Sequence, residues 1–397
     1  MKLASVFEGV RLASGVAPEV AASEIAGIDY DSRRIGKDFL FFAFPGAHAD
    51  GREFARDALA RGARAVVSEL PPPANNFQGT WIPVEHGRRA MAIAARNFYH
   101  RPDERVSFTG ITGTNGKTTT SYLTDSILRT AGFATALIGT IEHRLLGEPI
   151  HSANTTPESL DVMRIAADLE QRGDRAAPKA LTMEVSSHAL ALGRVHGIRF
   201  HTAVFTNLTR DHLDFHRTME DYGAAKRILF HPGFESGDPP APEWAVLNRD
   251  DPASEAMAGA ARNTLWYGLS GDAQIGADNI SADFDGLHFE IRYEGARQPA
   301  ESALTARFNV MNILAAAGVG LSYGLDLDAI AHGIAACRAV PGRFERVQAG
   351  QPFLVVVDYA HTDDALRNAI QAARALARSP KARVITLFGC GGDRDRT

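Results

Sequence analysis

The feature that most constrains this chain is the run Thr112-Gly113-Thr114-Asn115-Gly116-Lys117-Thr118, set between a β-rich stretch and a segment of helical character from 118 to 129 that Gly132 stops. A glycine-bounded turn leading from strand to helix lets backbone N–H groups curl around phosphate oxygens, and the helix N-terminus adds positive potential. Lys117 then neutralises the β- and γ-phosphates, and the Thr118 hydroxyl can ligate Mg²⁺. The spacing is the short G-x-x-G-K-T form, because the longer G-x-x-x-x-G-K loop requires glycine where Ile111 stands. The bland reading, an incidental glycine turn, is disfavoured by Gly-Lys-Thr at a strand-to-helix junction. The expected ligand is ATP, held by Gly113, Thr114, Asn115, Gly116, Lys117, Thr118 and Thr119. A generic P-loop kinase or GTPase is disfavoured by the short spacing and by the absence of an Asn-Lys-x-Asp run that reads guanine.

A chain of 397 residues exceeds one ordinary core, and its 45% hydrophobic content is enough to fill two or three. The net charge of −5 offers no basic footprint, so no nucleic-acid partner is expected. Glu8 and Arg11 fall where a signal peptide needs an unbroken apolar stretch, and no uncharged run approaches a membrane span. The expectation is a cytoplasmic protein without membrane insertion. Cys337 and Cys390 form no CxxC pair and read as free thiols.

Residues 1–102 mix short apolar runs at 39–44 and 65–67 with turn clusters such as 71–76, which reads as a small α/β domain. The polar, proline-containing segment 100–104 makes a boundary. Residues 103–339 carry β-rich runs at 106–111, 134–138, 180–185, 203–205 and 244–247 separated by helix-length segments, a pattern that implies a mostly parallel sheet. Helices at 307–323 and 326–338 precede the turn Val340-Pro341-Gly342. Residues 340–397 then show a strand at 353–357, a helix at 363–377 and a strand at 384–388, too few elements to cover both faces of a parallel sheet.

Further short segments occur in a fixed order: Asp31-Ser32-Arg33, TGTNGKTTT, Asn154-Thr155-Thr156-Pro157, EVSSHAL at 184–190, NLTRDHLDFH at 207–216, Ala225-Lys226, Phe308-Asn309, Pro341-Gly342-Arg343, Asp358-Tyr359-Ala360-His361 and Gly391-Gly392-Asp393-Arg394. Each alone is weak. Together they resemble the Mur ligase family, and within it the MurE-type tripeptide synthetases of peptidoglycan biosynthesis. The resemblance implies an α/β fold with three domains. These are an N-terminal domain holding a UDP group (1–102), a central P-loop parallel-sheet ATPase domain (103–339) and an incomplete Rossmann-like C-terminal domain (340–397). It also implies a two-step ligation. The D-Glu carboxylate of UDP-N-acetylmuramoyl-L-Ala-D-Glu attacks the γ-phosphate of ATP to give an acyl phosphate, and the amine of a diamino acid, meso-diaminopimelate ahead of L-lysine, displaces phosphate. Cations must crowd such a site, since the attacking carboxylate and the triphosphate repel each other.

Glu184 ends an apolar strand and His212 follows another, which is where ligands collect in open α/β sheets. The resemblance makes both Mg²⁺ ligands beside Thr118. A solvated polar loop, with Asp211, Asp214 and His216, is the plain reading of His212, and a zinc site is a weaker third. Lys226 in a helix reads on its own as a solvated face, whereas the family lysine is carbamylated and supplies a metal-binding oxygen. The resemblance assigns Thr155, Thr156, Ser186 and Arg194, with Asn154, to the muramoyl dipeptide. Thr155 and Thr156 would equally cap a helix starting at Pro157. Leu192 stands where some relatives carry a substrate-contacting glutamine. Tyr30, Ser32 and the loop 46–51 with His48 correspond to the UDP-binding edge, although Asp-Ser-Arg is also a common turn. Asn309, Arg343 and Asp358 correspond to contacts with adenine, phosphate and ribose, and Arg394 to the incoming amino acid. Asn309 could equally be an ordinary polar helix residue and Asp358 a strand-end carboxylate.

The competing functions are another Mur ligase step, a folylpolyglutamate synthetase, and a nonenzymatic nucleotide-binding fragment. The Asp-His-Leu-Asp-Phe-His run with Asn-Thr-Thr-Pro favours the tripeptide step. With no selectivity loop after Arg396, the chain reads as truncated and is expected not to complete ligation. It is expected to be a monomer.

Overall fold

The computed structural model describes residues 1–46, 49–73, 77–150, 155–233, 240–377 and 381–389. The expectations for His48, Asn154, Cys390 and Arg394 lie outside the described residues.

The first unit is a four-stranded parallel sheet of β1 (Gly27–Asp29), β2 (Phe39–Phe42), β3 (Ala65–Ser68) and β4 (Trp81–Pro83), in that order. Its short apolar runs are buried on both faces, as parallel strands require. Leu40 and Val67 pack into the core shared with helix Gly87–Phe98, while Phe41 and Val66 pack into a separate one.

The second unit comprises β5 (Ser107–Thr112), β6 (Ala134–Ile138), β7 (His143–Leu145), β8 (Glu148–Ile150), β9 (Lys179–Glu184), β10 (Phe200–Phe205), β11 (Trp244–Asn248), β12 (Asn263–Tyr267), β13 (Ile275–Ala282), β14 (Leu287–Tyr293) and β15 (Ala296–Ser302). They form one 11-stranded sheet in the order β15-β14-β13-β12-β11-β10-β5-β9-β6-β7-β8. From β6 through β13 every pairing is parallel. Alternate residues serve opposite faces. Phe108, Ala203, Phe205 and Leu247 join the core that includes Leu160 and Met163 of helix Ser159–Arg172. Ile111, Val204 and Val246 join the core under helices Lys117–Thr130 and Asn309–Ser322.

The outer hairpins are antiparallel. The outermost two, β7-β8 and β14-β15, turn on Leu146-Gly147 (φ 54° and 87°) and Glu294-Gly295 (φ 48° and 81°), the positive-φ pairs that tight hairpins need. Sequence reading found no strands there because edge strands such as β15, with ARQPAES, are mostly exposed and carry no apolar alternation.

Beyond residue 340 the described residues hold an antiparallel pair, β16 (Glu345–Val347) and β17 (Val355–Val357), and helix Asp363–Ala375. The strand expected at 384–388 takes no partner among the described residues, and its side chains stand in solvent, Ile385 at 86% and Leu387 at 99% exposure. Apolar β-propensity does not make a strand without a neighbouring edge to pair with. Among the described residues no helix is long and apolar enough to cross a membrane.

Candidate active site

The phosphate loop lies at the carboxyl end of β5, between β9 and β10 in the sheet. Two glycines permit its shape. Gly113 has φ 145°, and a Cβ there would meet Thr206 Oγ1 at 1.9 Å; Gly116 has φ 88°, and a Cβ would meet Asn312 Oδ1 at 2.3 Å. The residues after β10 brace the loop from below. The Asn115 N–H donates to Asn207 Oδ1 (2.9 Å), and the Asn115 carbonyl accepts from Thr206 Oγ1 (2.6 Å) and Asn207 Nδ2 (3.1 Å). Asn248, at the end of β11, holds the Thr206 carbonyl at 2.7 Å. Lys117 Nζ donates to the carbonyls of Gly113 and Thr114, both at 2.8 Å.

Glu184, the last residue of β9, is fully buried. Its Oε1 accepts from the Thr140 N–H (2.8 Å), and its Oε2 from Thr140 Oγ1 (3.0 Å) and Thr118 Oγ1 (3.1 Å). Lys226 is 1% exposed, donates to the Gly113 carbonyl at 2.9 Å and lies 4.2 Å from the Tyr222 ring centre. Burial pushes its pKa well below the usual lysine value; the nearby Lys117 charge depresses it further and Asp211 opposes. Lys117 is also lowered, chiefly by burial, with Glu184 opposing.

His212 sits at φ 55°, with its Nε2 3.5 Å from Asp211 Oδ2. Burial pushes its pKa down to about 4, against the opposing pull of Asp211, so the imidazole is neutral. The Thr118 hydroxyl and Glu184 carboxylate form the oxygen-rich donor set that Mg²⁺ prefers. Magnesium commonly uses one or two protein carboxylates plus substrate phosphate oxygens, so this sparse set fits it. Zinc fits less well: among the described residues no group of three His, Cys, Asp or Glu side chains converges.

Thr155, Thr156, Ser186 and Arg194 line the same cavity of ≈ 360 Å³ as Lys117, Thr118, Glu184, His212 and Lys226. The helix after the threonines starts at Ser159 with Glu158 at its cap position, not at Pro157. Thr156 Oγ1 instead donates to the Glu184 carbonyl (3.0 Å) and accepts from the Ser186 N–H (3.2 Å), tying the loop to the end of β9. Arg194 donates to the Thr156 carbonyl at 3.3 Å.

Arg343 reaches across from beyond the central sheet, donating to Thr118 Oγ1 at 3.1 Å, and Tyr359, His361 and Thr362 line that wall. Five expected residues lie outside the lining, Gly113 of the loop itself among them. Asp358 accepts from the N–H groups of Phe344 (2.6 Å) and Ala360 (2.7 Å), holding the turn that carries Arg343. Asn309 accepts from Asn312 (3.0 Å), the residue packed on Gly116. Tyr30 of the N-terminal unit donates to Asp161 of helix Ser159–Arg172 at 2.6 Å, and Ser32 is buried in a 3₁₀ turn of the N-terminal unit. Sequence reading missed Thr140, His188 and Tyr222, which also line the cavity. Thr140 was detectable as the second residue past the carboxyl end of β6 and His188 sits inside the EVSSHAL segment, whereas Tyr222 has no local signal.

A short phosphate loop on a central parallel strand, with a buried carboxylate from the next strand and a buried lysine against the loop, defines a P-loop nucleotide-dependent enzyme. Three family descriptions cover most of the chain: "Mur ligase family, catalytic domain" at residues 24–99, "Mur ligase middle domain" at 111–320 and "Mur ligase, glutamate ligase domain" at 342–397. The chain belongs to the Mur ligase family. It is 58% identical, over its whole length and 78% of the relative's, to a UDP-N-acetylmuramoyl-L-alanyl-D-glutamate–2,6-diaminopimelate ligase of Solibacter usitatus. To the ligase of the same description from Geobacillus kaustophilus it is 43% identical, over 94% of this chain and 74% of that one. A solved structure of a ligase so described superposes with a TM-score of 0.78 at 29% identity, covering all of this chain and 78% of its own.

Proposed function

We propose that this chain is the ATP- and Mg²⁺-dependent ligase, of the MurE type, that adds a diamino acid to UDP-N-acetylmuramoyl-L-Ala-D-Glu in peptidoglycan biosynthesis. The diamino acid is 2,6-diaminopimelate, as in the relatives' descriptions, taken in its meso form. The observation that carries the reading is one cavity holding the phosphate loop, Glu184 and Lys226 on one side and Thr155, Thr156, Ser186 and Arg194 on the other.

The D-Glu carboxylate attacks the γ-phosphorus and ADP leaves, giving an acyl phosphate; the diamino-acid amine then attacks the acyl carbon and inorganic phosphate leaves. Lys117 and Arg343 offset the repulsion between carboxylate and triphosphate, and Arg194 with the hydroxyls of Thr155, Thr156 and Ser186 orients the dipeptide's carboxylates. Thr118, Glu184 and neutral His212 would hold Mg²⁺, which neutralises charge on the phosphates. Lys226, its pKa lowered by burial, is the amine whose neutral form adds CO₂; with loss of a proton it becomes a carbamate, an oxygen ligand for the metal. Tyr30 and Ser32 serve the UDP end, Asn309 and Asp358 the nucleotide end, and the protein acts as a monomer.

Hydroxylamine traps acyl phosphates as hydroxamates. With ATP, Mg²⁺, bicarbonate and UDP-N-acetylmuramoyl-L-Ala-D-Glu, the chain is expected to form ADP and the dipeptide hydroxamate in equal amounts. A folded, ATP-binding chain that yields neither overturns the reading; a hydroxamate formed equally well from UDP-N-acetylmuramoyl-L-Ala moves it to another step of the family.

A further inference from the structure

Glu158 is 7% exposed, stands at the cap position of helix Ser159–Arg172 and makes no side-chain capping bond there. Its Oε1 instead accepts from Arg88 Nε at 3.2 Å and lies 3.2 Å from Arg194 Nε, while its Oε2 is buried without a hydrogen-bond partner. A buried carboxylate is costly unless cations compensate it. Here two guanidiniums do so through one oxygen, and they come from different parts of the molecule. Arg88 belongs to helix Gly87–Phe98 of the N-terminal unit, its guanidinium 4.5 Å from the Phe44 ring centre. Arg194 follows helix Ser187–Ala191 and lines the cavity.

Two consequences follow. The triad of two guanidiniums and one carboxylate keeps a surplus positive charge, so Arg194 is held in place without being neutralised. The same carboxylate also links the N-terminal unit to the cavity wall. We infer that Glu158 is a positioning residue for the proposed ligation: bridged by Arg88, it aims Arg194 at the carboxylate of the UDP-linked dipeptide and couples that arginine to the N-terminal unit. The inference rests on the function proposed above.

The test is calorimetric binding of UDP-N-acetylmuramoyl-L-Ala-D-Glu and, separately, of MgATP to the parent, Glu158→Gln, Arg194→Ala and the double variant. Glu158→Gln is expected to weaken the dipeptide about tenfold, the scale of a lost charge-assisted hydrogen bond, and to leave MgATP within about twofold. On the Arg194→Ala background it should add nothing, because its effect runs through Arg194. Full additivity, or equal losses for both ligands, would mean that Glu158 only supports the fold and overturns the inference. If Glu158→Gln does not fold, Arg88→Gln carries the same comparison: it should weaken the dipeptide alone, and unchanged dipeptide affinity overturns the coupling. A parent that binds MgATP but no dipeptide removes the proposed function and this inference with it. A parent that binds the dipeptide as tightly as its variants do removes only the inference.

Discussion

The two walls of the cavity are built in different ways. On the central-sheet side Glu184 is fully buried, Lys226 is 1% exposed, and the phosphate loop is braced by Thr206, Asn207 and Asn248 from adjacent strand ends. On the other side Arg343 and Tyr359 extend from a region whose buried apolar cluster is Ala306, Phe344 and Leu376, and where Phe353, Ile385 and Leu387 are exposed. Direct bonds between the walls include Arg343 to Thr118 and Asn115 Nδ2 to Asp364 Oδ2 at 3.1 Å. Preorganised charge needs a rigid low-dielectric setting, which only the two-sided core of the sheet supplies. A wall with few buried contacts opens at low free-energy cost.

The largest effect should come from breaking the rigid wall chemically. Lys226→Ala is expected to lower ADP formation by about 10³-fold, and the parent's rate to rise with bicarbonate. Full activity in that variant, with no CO₂ dependence in the parent, disposes of the carbamate. The same lysine is a burden on stability. Its folded pKa lies below its unfolded one, so between those values the unfolded chain holds one more proton and stability climbs with pH. Lys226→Met should flatten that slope and raise stability near neutral pH by about 1–4 kcal/mol, read from denaturant titrations at several pH values. Loss of stability would show that the bond to Gly113 outweighs the desolvation.

Next, Gly113→Ala should destabilise by about 2–4 kcal/mol, because its methyl meets Thr206 Oγ1 at 1.9 Å and its φ is 145°. Leu181→Ala in β9 should cost a similar amount. A smaller change is expected for Arg343→Ala. It should raise the KM for ATP about tenfold without moving the unfolding midpoint of the central sheet. The smallest is Leu387→Ser, expected within about 0.5 kcal/mol of the parent. A large loss there would mean that the two walls are equally well packed.

Much of the fold was legible from residue pattern. The strand runs at 134–138 and 244–247 fall inside β6 and β11, since strands buried on both faces must be continuously apolar. The outer hairpins were not legible, because their strands are half-exposed and their turns rest on backbone conformation at Leu146-Gly147 and Glu294-Gly295. Within the site, Lys117 and Thr118 could be read from a contiguous motif, whereas Lys226 was marked only by the family resemblance, its own pattern reading as a solvated face although its helix packs against the loop. Thr156 carried a capping signal that the structure uses differently, since the helix starts at Ser159. Asp358 carried a ligand-like signal, and packing adds a second role, its carboxylate accepting from the N–H groups of Phe344 and Ala360.

The sequence by itself determined the phosphate loop, because backbone conformation, glycine freedom and the strand-to-helix transition are all local to Gly113–Thr118. It also determined the alternation of strands and helices that forces a parallel sheet. Only the tertiary structure decided which distant groups meet that loop. The strand order β10-β5-β9 brings Glu184 beside Thr118 and Lys226 against Gly113, and Glu158 between Arg88 and Arg194 is likewise set by packing. The physical reason is that a buried charge takes its pKa and its role from the partners that enclose it, and these lie tens to hundreds of residues away in sequence.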